Sequence, residues 1–198
     1  MGLLIIIFPV AYLLGSIPSS VWLGKALKGI DLRKHGSGNA GATNAFRVLG
    51  KPIGTAVLIL DMGKGFLAVN LSHFQHTIPP GKEAWMVLQI VLGLLAVVGH
   101  LYPVFSGFRG GKGVAAIAGT GLAVHPYAAL AAIGVYLIVF LISKVSALGS
   151  LSAVVSYPLW IMVVFRPEYR ALWIFSLVVP LLVILTHRSN IERLLKRP

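Results

Sequence analysis

Cysteine is absent from the 198 residues of this chain, which excludes a disulfide framework, a thiolate nucleophile and a thiolate metal site. Carboxylates are nearly as scarce. The five acids, Asp31, Asp61, Glu83, Glu168 and Glu192, form no sequence cluster of the metal-binding or paired-carboxylate kind, and no metal is expected. Charge of either sign is thin: 11% of residues are charged and 57% hydrophobic, against about a quarter charged in an ordinary globular domain. Long polar intervals are missing too, and none is sufficient to bury a core of its own. Residues 1–198 therefore read as a single polytopic membrane domain.

What is present is a series of apolar stretches approaching the roughly 20 residues with which an α-helix crosses a bilayer. They fall near 3–24, 53–72, 84–105, 113–125, 127–143, 148–165 and 171–186, and predict an all-α integral membrane protein of about seven transmembrane helices. The first is too long for a signal sequence, lacks a basic segment ahead of it, and reads as a retained span. The fourth is short and rich in Ala and Gly, which suits a helix buried in the bundle, a re-entrant segment, or one fused with the fifth across His125-Pro126. Asp61 and Lys64 lie within the second span, where isolated charge is expensive. Their spacing permits an intrahelical pair, read here as a structural lock, with Gly63 and Gly65 allowing another helix to approach.

The 17 basic residues give a formal net charge of +12. They sit in short loops rather than on one soluble face, so topology explains them better than nucleic acid, which is not expected as a partner. With the amino terminus outside, inner segments would carry Lys25, Lys28, Arg33, Lys34, Arg47, Lys51, Arg109, Lys112, Lys144 and the basic tail. Outer segments would hold only Lys82, Arg166 and Arg170. This asymmetry predicts cytoplasmic loops 25–52, 106–113 and 144–150 and a cytoplasmic tail 187–198. Lys25–Lys34 reads either as a basic segment lying on anionic membrane lipid or as a plain linker.

Three polar constellations interrupt the apolar pattern. In the first, GSGNAGATN at 36–44 followed by Arg47, Gly36, Gly38 and Gly41 let the backbone take positive φ and turn N–H groups toward one point. Ser37, Asn39, Thr43 and Asn44 add side-chain donors, and such a nest suits phosphate. In the second, GHLYPVFSGFRGGKGVA at 99–115, Arg109 and Lys112 stand among four glycines ahead of a helix expected to start near Gly113. Its N-terminal amides would add to their charge in favouring an anion. A nucleotide-binding Walker loop needs four residues between its first glycine and Gly-Lys, then Ser or Thr. Gly107 has three and Gly113 follows the lysine, which argues against nucleotide as the guest. In the third, HRSNIERLL at 187–195, His187 and Asn190 share a face if the last helix continues. His187 and Glu192 imitate a His-x4-acid pairing of base and acid, yet five residues on a helix rotate by roughly 140° and point acid and base apart.

These three motifs, in this order and between such spans, resemble the bacterial acyl-phosphate:glycerol-3-phosphate acyltransferases over nearly the whole chain. The resemblance implies a seven-helix bundle in the bacterial cytoplasmic (inner) membrane, with its active site facing the cytoplasm. It implies transfer of a fatty acyl group from acyl phosphate to the 1-hydroxyl of glycerol 3-phosphate, with no cofactor and an acyl-phosphate-producing enzyme as metabolic partner. Carried over by residue, Ser37 and the backbone of Gly36, Gly38, Asn39 and Gly41 would hold phosphate, and Thr43, Asn44 and Arg47 would form the adjoining substrate site. Lys112 would neutralise phosphate beside Arg109, Gly110 and Gly111. His187 and Asn190 would complete the site, Ser150 would touch substrate, and His100 would be structural or catalytic. Ser37, Lys112 and His187 are thus the expected catalytic residues. The acceptor's base would be His187 or a phosphate of bound substrate. Two other classes compete: an organophosphate transporter, which should show a broken-helix midplane site in paired repeats, and a non-catalytic anionic-lipid scaffold, which has little need for the polar detail at 36–44.

Overall fold

The computed structural model describes residues 2–196, and among them every regular element is helical. Ten α-helices follow one another: α1 Gly2–Gly15, α2 Ser19–Lys28, α3 Ala42–Leu49, α4 Lys51–Asn70, α5 Glu83–Leu101, α6 Val114–Val124, α7 Pro126–Ser143, α8 Ser146–Leu159, α9 Arg170–Thr186 and α10 Arg188–Leu195. Every apolar stretch of the sequence has a helical counterpart. By length and hydropathy four helical segments can each cross a bilayer, or up to six when each bent pair is counted as one span. The first stretch is one such pair: it breaks at Ser16–Pro18, where α1 and α2 meet at a 45° bend. Proline at 18 has no N–H to continue the ladder, and in the break the Ile17 carbonyl accepts from the Ser19 N–H at 3.0 Å and from Lys64 Nζ at 3.2 Å.

The chain forms two compact units, Met1–Val124 and His125–Pro198. In the first, α4 packs most extensively on α6, α1 lies along α5, and α3 folds back on α4. Small residues make these approaches possible, as they must where lipid offers no hydrophobic drive between helices. A Cβ on Gly65 would overlap the Ala116 carbonyl, one on Gly119 the Met62 carbonyl, and one on Gly99 the Tyr12 carbonyl. Gly65 therefore does let a helix approach. Gly63, expected to do the same, faces open space. The 11-residue α6 stays separate from α7, because His125 caps the new helix by accepting from Ala128 N–H at 3.2 Å and Pro126 favours its first turn.

In the second unit α7 packs on α8 and α8 on α9. Pro158 lacks the N–H for a regular bond, and beyond it the helix widens to a π-helical turn over Trp160–Phe165. The expected loop 144–150 is much shorter than supposed. Lys144 ends α7 in the left-handed conformation, φ 57°, and α8 begins at Ser146, so Ser150 is a buried helical residue.

Candidate functional site

The first glycine motif is held in shape by one buried side chain. Asn44 Oδ1 accepts from the Ser37 N–H at 2.9 Å, while Nδ2 donates toward the carbonyls of Leu32 at 3.3 Å, His35 at 3.0 Å and Asn39 at 3.0 Å. Expected to offer donors to substrate, Asn44 instead spends them on the loop around it. The loop curls as expected at Gly36, φ 60°, and Gly38, φ 73°, but Gly41 is extended, φ −102° and ψ 166°. Gly41 is small for another reason: a Cβ there would stand 2.8 Å from Asn39 Oδ1. Thr43, Asn44 and Arg47 lie on the eight-residue α3, whose inner face packs Ala45 and Leu49 with Leu32 and Val57. That burial leaves Ser37, Thr43 and Arg47 exposed around the loop, with Asn39 half-buried.

The second motif leaves α5 through a turn in which Gly110 N–H donates to Leu101 O at 3.2 Å and Gly111 N–H to His100 O at 3.1 Å. Neither glycine tolerates a side chain. A Cβ on Gly110 would overlap the His100 carbonyl, and one on Gly111 would overlap the His100 ring. Arg109 is exposed and Lys112 half-buried, immediately ahead of α6, whose first turn is closed by Ile117 N–H donating to Gly113 O at 2.8 Å. Helix α6 thus starts where expected, and the cationic side chains precede its positive end.

Arg33, absent from the expected site, ties the two motifs together. Its Nε donates to Asp31 Oδ1 at 3.0 Å and its Nη2 to Oδ2 at 2.7 Å, and the remaining Nη1 donates to the Ser106 carbonyl at 2.7 Å. The guanidinium, with Lys25 4.0 Å away, holds the Asp31 carboxyl well below the usual carboxylate range. Nothing in the sequence signals a bond spanning 73 positions. Ser20, on α2, adds a second tether by donating to Ala40 O at 2.7 Å.

Beneath both motifs lies a buried polar cluster. Asp61 Oδ1 is 2.9 Å from Lys64 Nζ, accepts from Ser19 Oγ at 3.1 Å, and is 3.6 Å from His100 Nδ1. Asp61 and Lys64 pair as expected. No spacing in the chain joins His100 to them, since that contact depends on how α4 and α5 pack. A small cavity beside the cluster is lined by Ser19, Asp61, Lys64, His100, Ala40 and the Gly110–Gly111 turn among others.

The remaining expected residues belong to the second unit. His187 is where the last helix bends, α9 and α10 meeting there at 65°, so the continuous helix assumed for the His187–Asn190 face is not formed. The ring is buried, with Nδ1 2.9 Å from Val183 O. A carbonyl only accepts, so in this contact Nδ1 carries the proton and Nε2 is the basic nitrogen. Asn190 Oδ1 accepts from Arg193 Nη2 at 2.7 Å. Glu192 pairs with Arg188 at 3.1 Å, in keeping with its exclusion as a partner for His187.

A model of the glycerol-3-phosphate acyltransferase family matches residues 5–197. The chain is 42% identical to a glycerol-3-phosphate acyltransferase of Chlorobaculum tepidum over 212 aligned residues, covering 95% of this chain and 91% of the relative. It is 40% identical to the Salinibacter ruber enzyme of the same name, with 97% and 89% covered. Among solved structures it resembles PlsY, an integral membrane glycerol 3-phosphate acyltransferase, in its glycerol 3-phosphate form. The TM-score is 0.85 at 39% identity, and the match covers 97% of this chain and 92% of that one. The lysophosphatidic acid form of PlsY matches with a TM-score of 0.83 at 38% identity, covering 97% and 91%. With helices able to cross a bilayer and a family match running almost end to end, the chain belongs to the glycerol-3-phosphate acyltransferases, integral membrane enzymes of lipid biosynthesis.

Proposed function

We propose that this acyltransferase takes its acyl group from acyl phosphate and delivers it to the 1-hydroxyl of sn-glycerol 3-phosphate, giving 1-acylglycerol 3-phosphate and inorganic phosphate. The observation that carries the reading is the joining of two glycine-rich basic loops by Arg33, since both proposed substrates bear phosphate. A lipid-tailed donor and a soluble acceptor meet at one membrane face, and fixing them together supplies much of the rate. The loop around Ser37, with Thr43 and Arg47 beside it and Asn44 shaping it from below, holds one phosphate. Arg109 and Lys112, with the backbone of Gly110 and Gly111, neutralise another. Ser150, His187 and Asn190 are proposed as further substrate-contacting residues. The positive-inside pattern supports a cytoplasmic face of the bacterial inner membrane for the loops, with the amino terminus outside.

In the proposed step the acceptor hydroxyl oxygen forms a bond to the acyl carbonyl carbon. The bond from that carbon to the phosphate oxygen breaks, and the hydroxyl proton ends on phosphate. Phosphate is a good leaving group from a mixed anhydride, so no serine acyl-enzyme is needed. A site rich in cations and poor in carboxylates supports substrate phosphate as the proton acceptor, with His187 positioning the glycerol moiety. The test is phosphate release from purified protein in detergent, given acyl phosphate with and without glycerol 3-phosphate, beside Lys112→Ala. Acceptor-dependent release, matched by lysophosphatidate and lost in the variant, is expected. Turnover with an acyl thioester but not acyl phosphate would overturn the donor.

A further inference from the structure

We infer that Asp61, Lys64 and His100 are positioning residues for acyl transfer: their buried cluster sets the seat of the Gly110–Gly111 turn and its placement beside the first glycine loop. This rests on the reading that those loops bind the substrates. Charges buried within a membrane protein are costly, and an apolar pair of similar volume would fill the same space without desolvation, so stability alone is a weak reason for a carboxylate and an ammonium here. Their contacts suggest a different use. Lys64 holds Asp61 at 2.9 Å and the Ile17 carbonyl at 3.2 Å, so it joins α4 to the break between α1 and α2. Two residues beyond that carbonyl, Ser19 donates to Asp61 at 3.1 Å, and the next residue, Ser20, donates to Ala40 of the first loop at 2.7 Å. On the other side Asp61 faces His100, and the His100 ring is the surface against which Gly111 lies, with no space for even a methyl group. The His100 carbonyl accepts the Gly111 N–H. One carboxylate is therefore linked to both loops, to the second through His100 and to the first through the consecutive residues Ser19 and Ser20. His100 and Asp61 are 5% and 1% exposed, which places them under the site rather than in it.

The test compares wild type, Asp61→Asn, Lys64→Met, the double variant Asp61→Asn/Lys64→Met, and His100→Gln, each purified in detergent. The readouts are thermal unfolding and the kcat and KM for glycerol 3-phosphate. The double variant removes both charges together, so a purely structural pair predicts recovery of both stability and activity. Positioning predicts a melting temperature near wild type with kcat/KM still lower by at least about tenfold, since small misplacements at a reacting centre are amplified in rate. A double variant within about twofold of wild type in kcat/KM would overturn the inference. Should the double variant not fold, His100→Gln decides: a loss of about tenfold or more in kcat/KM is expected, and a value within about twofold of wild type overturns the proposal. Lys112→Ala in the same assay keeps the two readings apart. Wild-type turnover in that variant would refute the loop site, whatever the cluster variants do.

Discussion

Asn44 offers the sharpest test of how the first loop is built. Its side chain accepts one bond and directs two N–H groups at three carbonyls, and it is 2% exposed. Replacing it with alanine removes about three net hydrogen bonds worth roughly 1 kcal/mol each and leaves backbone groups around Leu32 short of partners. The cost falls on the loop, because the apolar contacts of Ala45 and Leu49 survive the change. If the closed loop is what binds substrate, about 2–3 kcal/mol converts to a fall of roughly 30- to 150-fold in kcat/KM for glycerol 3-phosphate. Asn44→Asp is the stricter probe. It can still accept from Ser37 but sets a carboxylate against three carbonyls, so it should be at least as damaging as alanine. Trypsin gives a second readout: cleavage after the exposed Lys34 should accelerate in both variants. Either variant within about twofold of wild type in kcat/KM, with unchanged cleavage, would refute the assignment of Asn44 as the loop's staple.

Gly111→Ala forces a methyl group into the His100 ring, whereas Gly107→Ala, at φ 68° with open space around it, costs only about the 1–2 kcal/mol of a left-handed residue. Activity should therefore fall further in Gly111→Ala, and equal losses would count against the seat. For His187→Ala, a raised KM with kcat largely kept is expected if substrate phosphate is the base. Intact acceptor binding with the chemical step abolished would make His187 the base instead. Asp31→Asn removes a carboxylate whose pKa is depressed by Arg33, so its contribution is present above the unfolded value of about 3.9 and is lost as pH falls. A melting temperature lower by ~2–4 °C at pH 7 is expected for a loss of about 1 kcal/mol, with the gap narrowing only below about pH 4 and closing well below that as folded Asp31 itself takes up a proton, and a gap that stayed constant through this acid range would refute the ion-pair account. Because the chain lacks cysteine, Lys34→Cys and Lys82→Cys each introduce a unique thiol. In intact cells an impermeant maleimide should label the second and spare the first, and the reverse pattern would invert the proposed topology.

Hydropathy was enough to place the helices because each apolar run must be near span length, whatever surrounds it. It hid the break at Ser16–Pro18, since apolar residues continue on both sides of it and Pro18 is the main hint of a stop. It hid α3 as well. A tract of Gly, Ala, Asn and Thr looks like loop, and its helical half becomes visible only when Ala45 and Leu49 are seen packed on Leu32 and Val57. Glycine content correctly marked the turns at Gly36 and Gly38 but misread Gly41, where lack of space rather than backbone sign requires the small residue. The bonds of Arg33 to Ser106 and of Ser20 to Ala40 join elements distant in sequence, and no periodicity reports such pairs.

Close helix packing and loop placement are one problem in this protein. Gly15 and Gly99 bring α1 and α5 to backbone contact, Gly15 against Ala96 and Gly99 against Tyr12 and Ser16. That crossing lies one residue before His100 and one before the break at Ser16, so the approach of two helices carries the histidine and the start of α2 to the same place. Tyr12 then donates to Tyr102 O at 2.8 Å, pinning the exit of α5. Enlarging Gly99 to alanine should therefore shift the second loop although residue 99 is outside it. A loss of activity larger than the loss of stability explains, in a Gly99→Ala protein assayed well below its melting temperature, is the expected result. Wild-type kcat/KM in that variant would mean that the loops find their places without the crossing beneath them.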